Sequence, residues 1–478
     1  MIVVFAATRA VLHASGLPYF EAESYTYLAG ADALHAGKEL PRAFADLHLV
    51  PGYAYLIDAI WSMTGGITLT GVAIAQSVIS LLGFLAFSHL VSLWLDRRAG
   101  ICVFLVLCLS PSIGWLERTL MPDALAAPLL MIAFWAAAIG NPASDERKVR
   151  WGGALLAGAF ASAAVLMRTS SQPFAILPLL LAFERRAGFK RTFAWTLLYV
   201  FALAAPLAPW IQQNHEKHGI YALTASRGRS LYLNAAWTGT LDRRAEMRKY
   251  GIPASASPEA AIALTETALR RQVASGLALP KADAILGQIA SKAYENRELT
   301  ELGKERWTVV RDLFAPATDG AAKALTPLSE NREAYLANRN ATPQARSTAE
   351  SRMRYRFSSA YVEAAAKPPA IDPRAPALLA KWIELGTIDG GPLFASFLFS
   401  FVVIYWRSPL RWPMLIVVAC PALAFLTVLA FFGAPRYLYQ ASLQPFLAAT
   451  IVVACITLLG PAKRKIARGL FISRRLNN

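Results

Sequence analysis

Two carboxylates, Glu21 and Glu23, stand in the stretch YFEAESYTYLAGADALHAG (residues 19–37), where the first apolar run of the chain ends. Two more, Glu117 and Asp123, stand in WLERTLMPDALAAPLLM at the start of a later apolar run. Cations occupy comparable places: Arg168 in AAVLMRTSSQPFAILP and Arg436 in FFGAPRYLYQASLQPF, each wedged between apolar runs. A carboxylate within hydrogen-bond reach of a hydroxyl can take its proton, and the planar guanidinium fork suits a phosphate. Each group also has a plain structural use. An acid in a first helical turn is favoured by the helix terminus alone, an acid at the end of a membrane span reaches water at little cost, and an arginine beside a bilayer anchors a helix to headgroups. On charge alone the capping account of Glu23 is the better one, and what adds weight is whether these groups share a side.

The elements that carry them are membrane helices. Of 478 residues 55% are hydrophobic and 17% charged, with a mean hydropathy of +0.39, and several apolar runs approach the roughly 20 residues a bilayer demands. The candidate spans are 1–16, 67–95, 99–113, 123–140, 151–167, 170–184, 191–211, 388–406, 412–432 and 438–460. The formal charge is +17, from 48 Lys and Arg against 31 Asp and Glu. In a soluble chain that excess would point to nucleic acid; here its location matters more. LDRRAG (95–100), DERKVR (145–150), ERRAGFKR (184–191), WRSPLRW (406–412) and the tail PAKRKIARGLFISRR (461–475) all fall on one side. The positive-inside rule makes that side the cytoplasm, with both termini on it. Residues 17–66, 114–122, 168–169, 212–387 and 433–437 then face outward, and Glu21, Glu23, Asp46, Glu117 and Asp123 gather there. The expected protein is a multi-pass plasma (inner) membrane protein with its site on the periplasmic or extracellular face.

Around Glu23 the sequence predicts a short helix along the membrane, with Tyr27, Leu28, Ala31 and Leu34 on one face, and Pro51 and Gly52 open the next helix. Cys102, Cys108, Cys420 and Cys455 all lie in apolar runs and serve as small hydrophobes. The N-terminal run lacks a basic leader, and Arg9 interrupts it, which argues against a cleaved signal peptide. Residues 212–387 differ in kind: long, polar and rich in Ala, Arg and Glu. Ser257, Thr342 and Asp372 each precede a proline in the pattern of a helix start, and SPEAAIALTETALRRQVASG and ELTELGKERWTVVRDLF have helical apolar spacing. The chain thus divides into an N-terminal membrane module (1–211), an extracytoplasmic helical domain (212–387) and a C-terminal membrane module (388–478). The fold class expected is all-α: a polytopic bundle of about ten spans, with juxtamembrane helices in the first outer loop. His215, Glu216 and His218 in PWIQQNHEKHG lack the spacing of a helical zinc site. NAT at 340–342 matches a glycosylation sequon and is weak alone.

Taken together, ESYTYLAGADALHAG, PGYAYLIDAIWSMTGG, LERTLMPDALAAPLLM, AAVLMRTSSQPFAILPLLL, PWIQQNHEKHGIYALTASRGRSLYLNAAW and GAPRYLYQASLQPFLA resemble the GT-C superfamily of membrane glycosyltransferases. Within it the likeness is to the bacterial branch related to protein O-mannosyltransferases and lipid A aminoarabinose transferases. The resemblance runs from residue 1 to about 211 and from about 388 to 460. It implies that Glu23, standing where the family has an Asp, is the catalytic base, with Glu21 a neighbour able to share the role. Asp123 matches the second outer acid better than Glu117 does. Arg436 and Tyr437 match the basic donor-phosphate site near the last outer turn, and Arg168 fits a family helix start loosely. In PWIQQN, Trp210 and Asn214 fit, while Gln213 stands where a base is common.

The reaction so implied uses a polyprenyl-phosphate-linked sugar. An acceptor hydroxyl, on a lipid or glycan, attacks the anomeric carbon opposite the phosphate, with inversion. Glu23 takes the proton, and Arg436, with Arg168 or the loop residues Arg227 and Arg229, stabilises the departing phosphate. Asp123 would orient the acceptor or help hold a divalent cation such as Mg or Mn; relatives differ on metal, and the sequence shows no complete metal shell. Three rival readings stand beside it: a flippase for lipid-linked substrates, against which the acids lie at span ends and not at the midplane; a scaffold whose outer domain binds a partner; and an O-antigen-type ligase with a diphosphate-linked donor.

Overall fold

The computed structural model of the protein describes residues 1–14, 24–41, 49–140, 151–181, 189–252, 260–298, 390–407, 415–421 and 437–459, apart from single positions within or beside these ranges. All regular elements among the described residues are helices: α1 (Ile2–Ala14), α2 (Ser24–His35), α3 (Gly52–Thr64), α4 (Leu69–Trp94), α5 (Arg97–Leu109), α6 (Pro111–Arg118), α7 (Asp123–Ile139), α8 (Trp151–Met167), α9 (Phe189–Ala204), α10 (Ala208–His218), α11 (Arg227–Thr238), α12 (Arg243–Lys249), α13 (Ala260–Ala274), α14 (Leu279–Glu295), α15 (Gly390–Arg407) and α16 (Tyr437–Leu459), with shorter turns between them. The helices start where the sequence supplies caps. Thr68 accepts from the Gly71 N–H and Asp96 from the Ala99 N–H, each satisfying a donor the helix leaves unpaired.

The spans expected at 123–140, 151–167 and 438–460 correspond to α7, α8 and α16. Three others are reshaped by proline. Residues 170–184 are not one helix but 3-10 turns at Thr169–Ser171 and Phe174–Ile176 and an α turn at Leu177–Leu180, because Pro173 and Pro178 each remove a donor. The span 191–211 bends by 52° between α9 and α10, at Ala-Pro-Leu-Ala-Pro. The span 99–113 stops at Leu109, and Pro111 opens α6, so Glu117 lies in a helix and not in an open turn. Of the expected span 412–432 only 415–421 is described, starting with a π-helical turn.

By itself α4 is long and apolar enough to cross a membrane, and α9 with α10 passes the same test as a bent pair. The outward faces support the membrane reading. Phe189, Phe193, Leu197 and Phe201 of α9, and Phe399, Val402 and Trp406 of α15, are exposed; an apolar stripe of that extent is at home in lipid and a liability in water.

The bundle has two chemically different ends. At one, the Trp195 Nε1–H donates to the Gly140 carbonyl (2.9 Å) and the Trp135 Nε1–H to His89 (2.9 Å). This ties the close of α4 and α7 to the start of α9, and the basic segments 95–100, 145–150 and 184–191 adjoin these ends. At the other, His13 meets Ser77 (3.1 Å), Asp123 meets Arg168, and Gly52 opens α3 against Leu166 of α8. A Cβ at residue 52 would sit 2.4 Å from the Leu166 carbonyl oxygen. Of the candidate acids, Asp123 and Glu117 therefore lie at the end away from the helix ends that the basic segments follow or precede in sequence.

Beyond α10, helices α11 to α14 form a separate apolar core around Tyr232, Leu264, Leu286 and Ala290, which accounts for the helical periodicity of the expected outer domain over residues 227–295. SPEAAIALTETALRRQVASG supplies α13, while Thr342 and Asp372 lie outside the described residues. Helices α11 and α14 cross at Gly228 and Gly287, where a Cβ on Gly228 would lie 1.8 Å from the Asp283 carbonyl oxygen. Replacing Gly228 with alanine is expected to destabilise this domain by about 2–3 kcal/mol, the upper part of the overpacking range. Faster limited proteolysis within 227–295 of the full chain would show it, and unaltered resistance would refute the close crossing.

Candidate active site at one end of the bundle

Asp123 is the first residue of α7, and Arg168 follows the last residue of the antiparallel α8, so the two chain ends present opposite charges side by side. The Arg168 Nη1–H donates to Asp123 Oδ2, and its Nε–H to Ser170 Oγ (3.2 Å). Asp123 has 0% of its side chain exposed and Arg168 15%. The accessible charge is thus the guanidinium, with the carboxylate behind it. Together they line a cleft whose polar side is completed by Ser170 and Ser171 and whose other walls include Ala126, Leu130, Phe174 and Phe446. A cleft with one cationic side and apolar walls suits an amphiphile carrying an anionic head.

Glu117, also an expected site residue, serves a different bond. Its carboxylate accepts from Arg9 Nε (2.8 Å) and Nη2 (2.5 Å), a bidentate pair with 4% of the Arg9 side chain and 1% of the Glu117 side chain exposed. Arg9 also donates to the Cys108 carbonyl (2.6 Å) and lies over the Phe5 ring. The charge that interrupts the first apolar run is therefore the mate of Glu117 in α6. Arg118 beside it is buried as well, and burial pulls its guanidinium down to about 10, still protonated at neutral pH.

Asn214 and Trp210, one helical turn apart in α10, close a loop. The Asn214 Nδ2–H₂ donates to the carbonyls of Ala222 (2.7 Å) and Leu223 (3.2 Å), and the Trp210 Nε1–H to Leu223 (2.9 Å). Arg227 is exposed at the start of α11. The Arg229 side chain is ion-paired with Glu266, and its backbone N–H donates to Asp283 (2.7 Å). The structure thus brings together Asp123 with Arg168, and separately Glu117 with Arg9, and it pairs the partly exposed Arg229 with Glu266 inside the α11–α14 domain. Glu21, Glu23 and Arg436 lie outside the described residues; Tyr437 begins α16, its side chain likewise outside them. Helix α2 itself conforms to expectation, starting at Ser24 with Tyr27, Leu28 and Ala31 buried. Among the described residues no three His, Cys, Asp or Glu side chains come close enough to hold a metal ion, and the Asp123 carboxylate is already engaged by Arg168.

Two polar residues escaped the sequence reading. Gln76, 0% exposed in the apolar α4, donates through Nε2 to the carbonyls of Glu117 (2.7 Å) and Thr119 (3.0 Å), and its Oε1 accepts from the Tyr53 hydroxyl. Burial pushes the Tyr53 phenol well above its usual range, so it remains a donor. A lone glutamine in a 26-residue apolar helix was the available signal, since a polar group at such a place is retained for a bond or a function.

Residues 48–211, which include this end of the bundle from α3 to α10, match the dolichyl-phosphate-mannose-protein mannosyltransferase family. The likeness to GT-C glycosyltransferases read from the sequence is borne out over that segment, which contains the Asp123–Arg168 pair and also Glu117, whose partner Arg9 lies outside it. No curated protein matches the chain by sequence. Among solved structures, the chain is similar to ArnT from Cupriavidus metallidurans bound to undecaprenyl phosphate, at 14% identity and a TM-score of 0.39 over 99% of this chain and 80% of that one. It is also similar to the oligosaccharyltransferase AglB from Archaeoglobus fulgidus in complex with an inhibitory peptide and a dolichol-phosphate, at 12% identity and a TM-score of 0.47. That match covers 99% of this chain and spans about half, 51%, of AglB.

Proposed function

We propose that the protein transfers a sugar from a polyprenyl-phosphate donor to an acceptor hydroxyl at the outer face of the membrane, with inversion. The observation that carries this reading is the Arg168 guanidinium, held by buried Asp123 in a cleft with apolar walls, within the segment that matches a family of lipid-phosphate-dependent mannosyltransferases. The donor's phosphate lies against Arg168 and the hydroxyls of Ser170 and Ser171, and its isoprenoid chain follows the apolar walls. The acceptor oxygen attacks the anomeric carbon while Glu23 takes its proton, the bond from that carbon to the phosphate oxygen breaks, and the polyprenyl phosphate leaves. Preorganised cations stabilise the charge that develops on it; Arg436 and Tyr437, by the family likeness, contribute from the start of α16. Asp123 acts through Arg168, fixing the direction of its fork. The position of the cleft, opposite the basic loops, supports an outward-facing site.

The test is donor turnover by the purified full chain. With a radiolabelled undecaprenyl-phosphate-linked sugar and envelope glycolipid as acceptor, the label should move to the acceptor and free undecaprenyl phosphate should accumulate. Movement of intact donor across vesicles without cleavage would instead establish a flippase. Replacing Arg168 with lysine keeps the charge but loses the fork that spans Asp123 and Ser170. It is expected to weaken undecaprenyl phosphate binding roughly tenfold, about 1.4 kcal/mol, as read by displacement of the labelled lipid; unchanged affinity would remove Arg168 from the donor site.

A further inference from the structure

We propose that Tyr53 and Gln76 are positioning residues for sugar transfer, tying the helix that follows Glu23 to the turn that carries Asp123. This role rests on the function proposed above. The tie is continuous and buried. Tyr27 of α2 packs edge-on against Tyr53 of α3, ring centroids 5.3 Å apart at 84°. The Tyr53 hydroxyl donates to Gln76 Oε1, and Gln76 Nε2 donates to the carbonyls of Glu117 and Thr119. Tyr53, Gln76 and Thr119 are each 0% exposed. Four residues after Thr119 comes Asp123, whose carboxylate holds Arg168.

The chemistry of the amide makes this link stiff. Two donors of one –NH₂ point at two carbonyls at the end of α6, and the one oxygen faces a hydroxyl. Flipping the amide would set its oxygen against both carbonyls, so a single orientation satisfies every group. Rotating away would take the partner from the buried Tyr53 hydroxyl and from the Glu117 carbonyl at once. The Glu117 carbonyl lies in the last turn of α6, where carbonyls lack an intrahelical partner, and the Thr119 carbonyl also accepts from the Met121 N–H (2.7 Å); a side chain from another helix binds both, so the direction in which the chain leaves α6 for Asp123 is set by α4 and, through Tyr53, by the first outer loop. Transfer needs the proton acceptor and the phosphate grip at a fixed separation, and a displacement of about 1 Å between such groups is enough to cost about 100-fold in rate.

Tyr53→Phe and Gln76→Met in the full chain test this. The expected result is a fall in kcat for sugar transfer of roughly 10–100-fold, with undecaprenyl phosphate affinity kept within about threefold, and a double variant no worse than the more damaged single one. Backbone amide exchange should accelerate together in residues 24–35 and 117–123, segments that the pair links. Full activity in folded variants, an equal loss of lipid affinity, or faster exchange confined to α3 and α4 would each overturn the positioning role. Should Gln76→Met fail to fold, Tyr53→Phe, which removes a single oxygen, carries the same test. A wild-type chain that cleaves no polyprenyl-phosphate-linked sugar overturns the functional reading itself; an active wild type with active variants overturns the positioning role alone.

Discussion

Replacing Glu23 with glutamine is expected to lower sugar transfer by roughly 10²–10⁴-fold, the usual contribution of a general base, while binding of undecaprenyl phosphate is retained. Glutamine matches the size of the glutamate and still accepts a hydrogen bond, so what it loses is the capacity to take up the acceptor proton. The substitution should not disturb the fold around it. The helix that starts at Ser24 is anchored by Tyr27, Leu28 and Ala31, all buried, and by the contact of Tyr27 with Phe44 and Tyr53. Glu21→Gln separates the two neighbouring acids: if Glu23 is the base, Glu21→Gln should cost at most about tenfold. A folded Glu23→Gln protein that transfers sugar at the wild-type rate would remove Glu23 from the mechanism.

The largest expected effect on stability comes from the Arg9–Glu117 pair. Glu117→Ala strands a guanidinium that is almost wholly buried, and breaking a buried ion pair by deleting one partner costs about 3–5 kcal/mol. Removing both charges is a different experiment. Arg9→Met with Glu117→Leu keeps most of the volume and leaves no buried charge, and should recover most of the loss. Thermal unfolding of the three proteins in the same detergent measures this, and a double variant as unstable as Glu117→Ala would mean that the cost is one of packing. Because Glu117 reaches α1 through its side chain and Gln76 through its backbone carbonyl, stranding Arg9 by Glu117→Ala should disturb α6 and reduce transfer, whereas the apolar double variant, which leaves no buried charge there, should retain more of it.

Much of the helical plan was legible because apolar length and charge position are local properties of the chain. The limits of α7, α8 and α16 follow from where apolar residues begin and end, and the buried face of α2 follows from its spacing. Proline was the local signal read too lightly: Pro111, Pro173 and Pro206 each change a continuous apolar run into broken or bent helix. Arg9 looked like a blemish in a span because its compensation lies 108 residues away, and no window along the sequence contains both partners. Asn214 has a structural use that its position in the sequence did not reveal: its amide holds the loop at Ala222 and Leu223.

The sequence by itself determined the helical membrane class of the protein and the likeness to GT-C glycosyltransferases, since hydropathy and motif order are written along the chain. Only the tertiary structure decided which opposite charges meet. Asp123 went to Arg168, Glu117 to Arg9, and Gln76 to the turn between them, and each choice was made by burial: once helices pack, a charge or an amide without a partner costs several kcal/mol, and that penalty selects pairings across the fold.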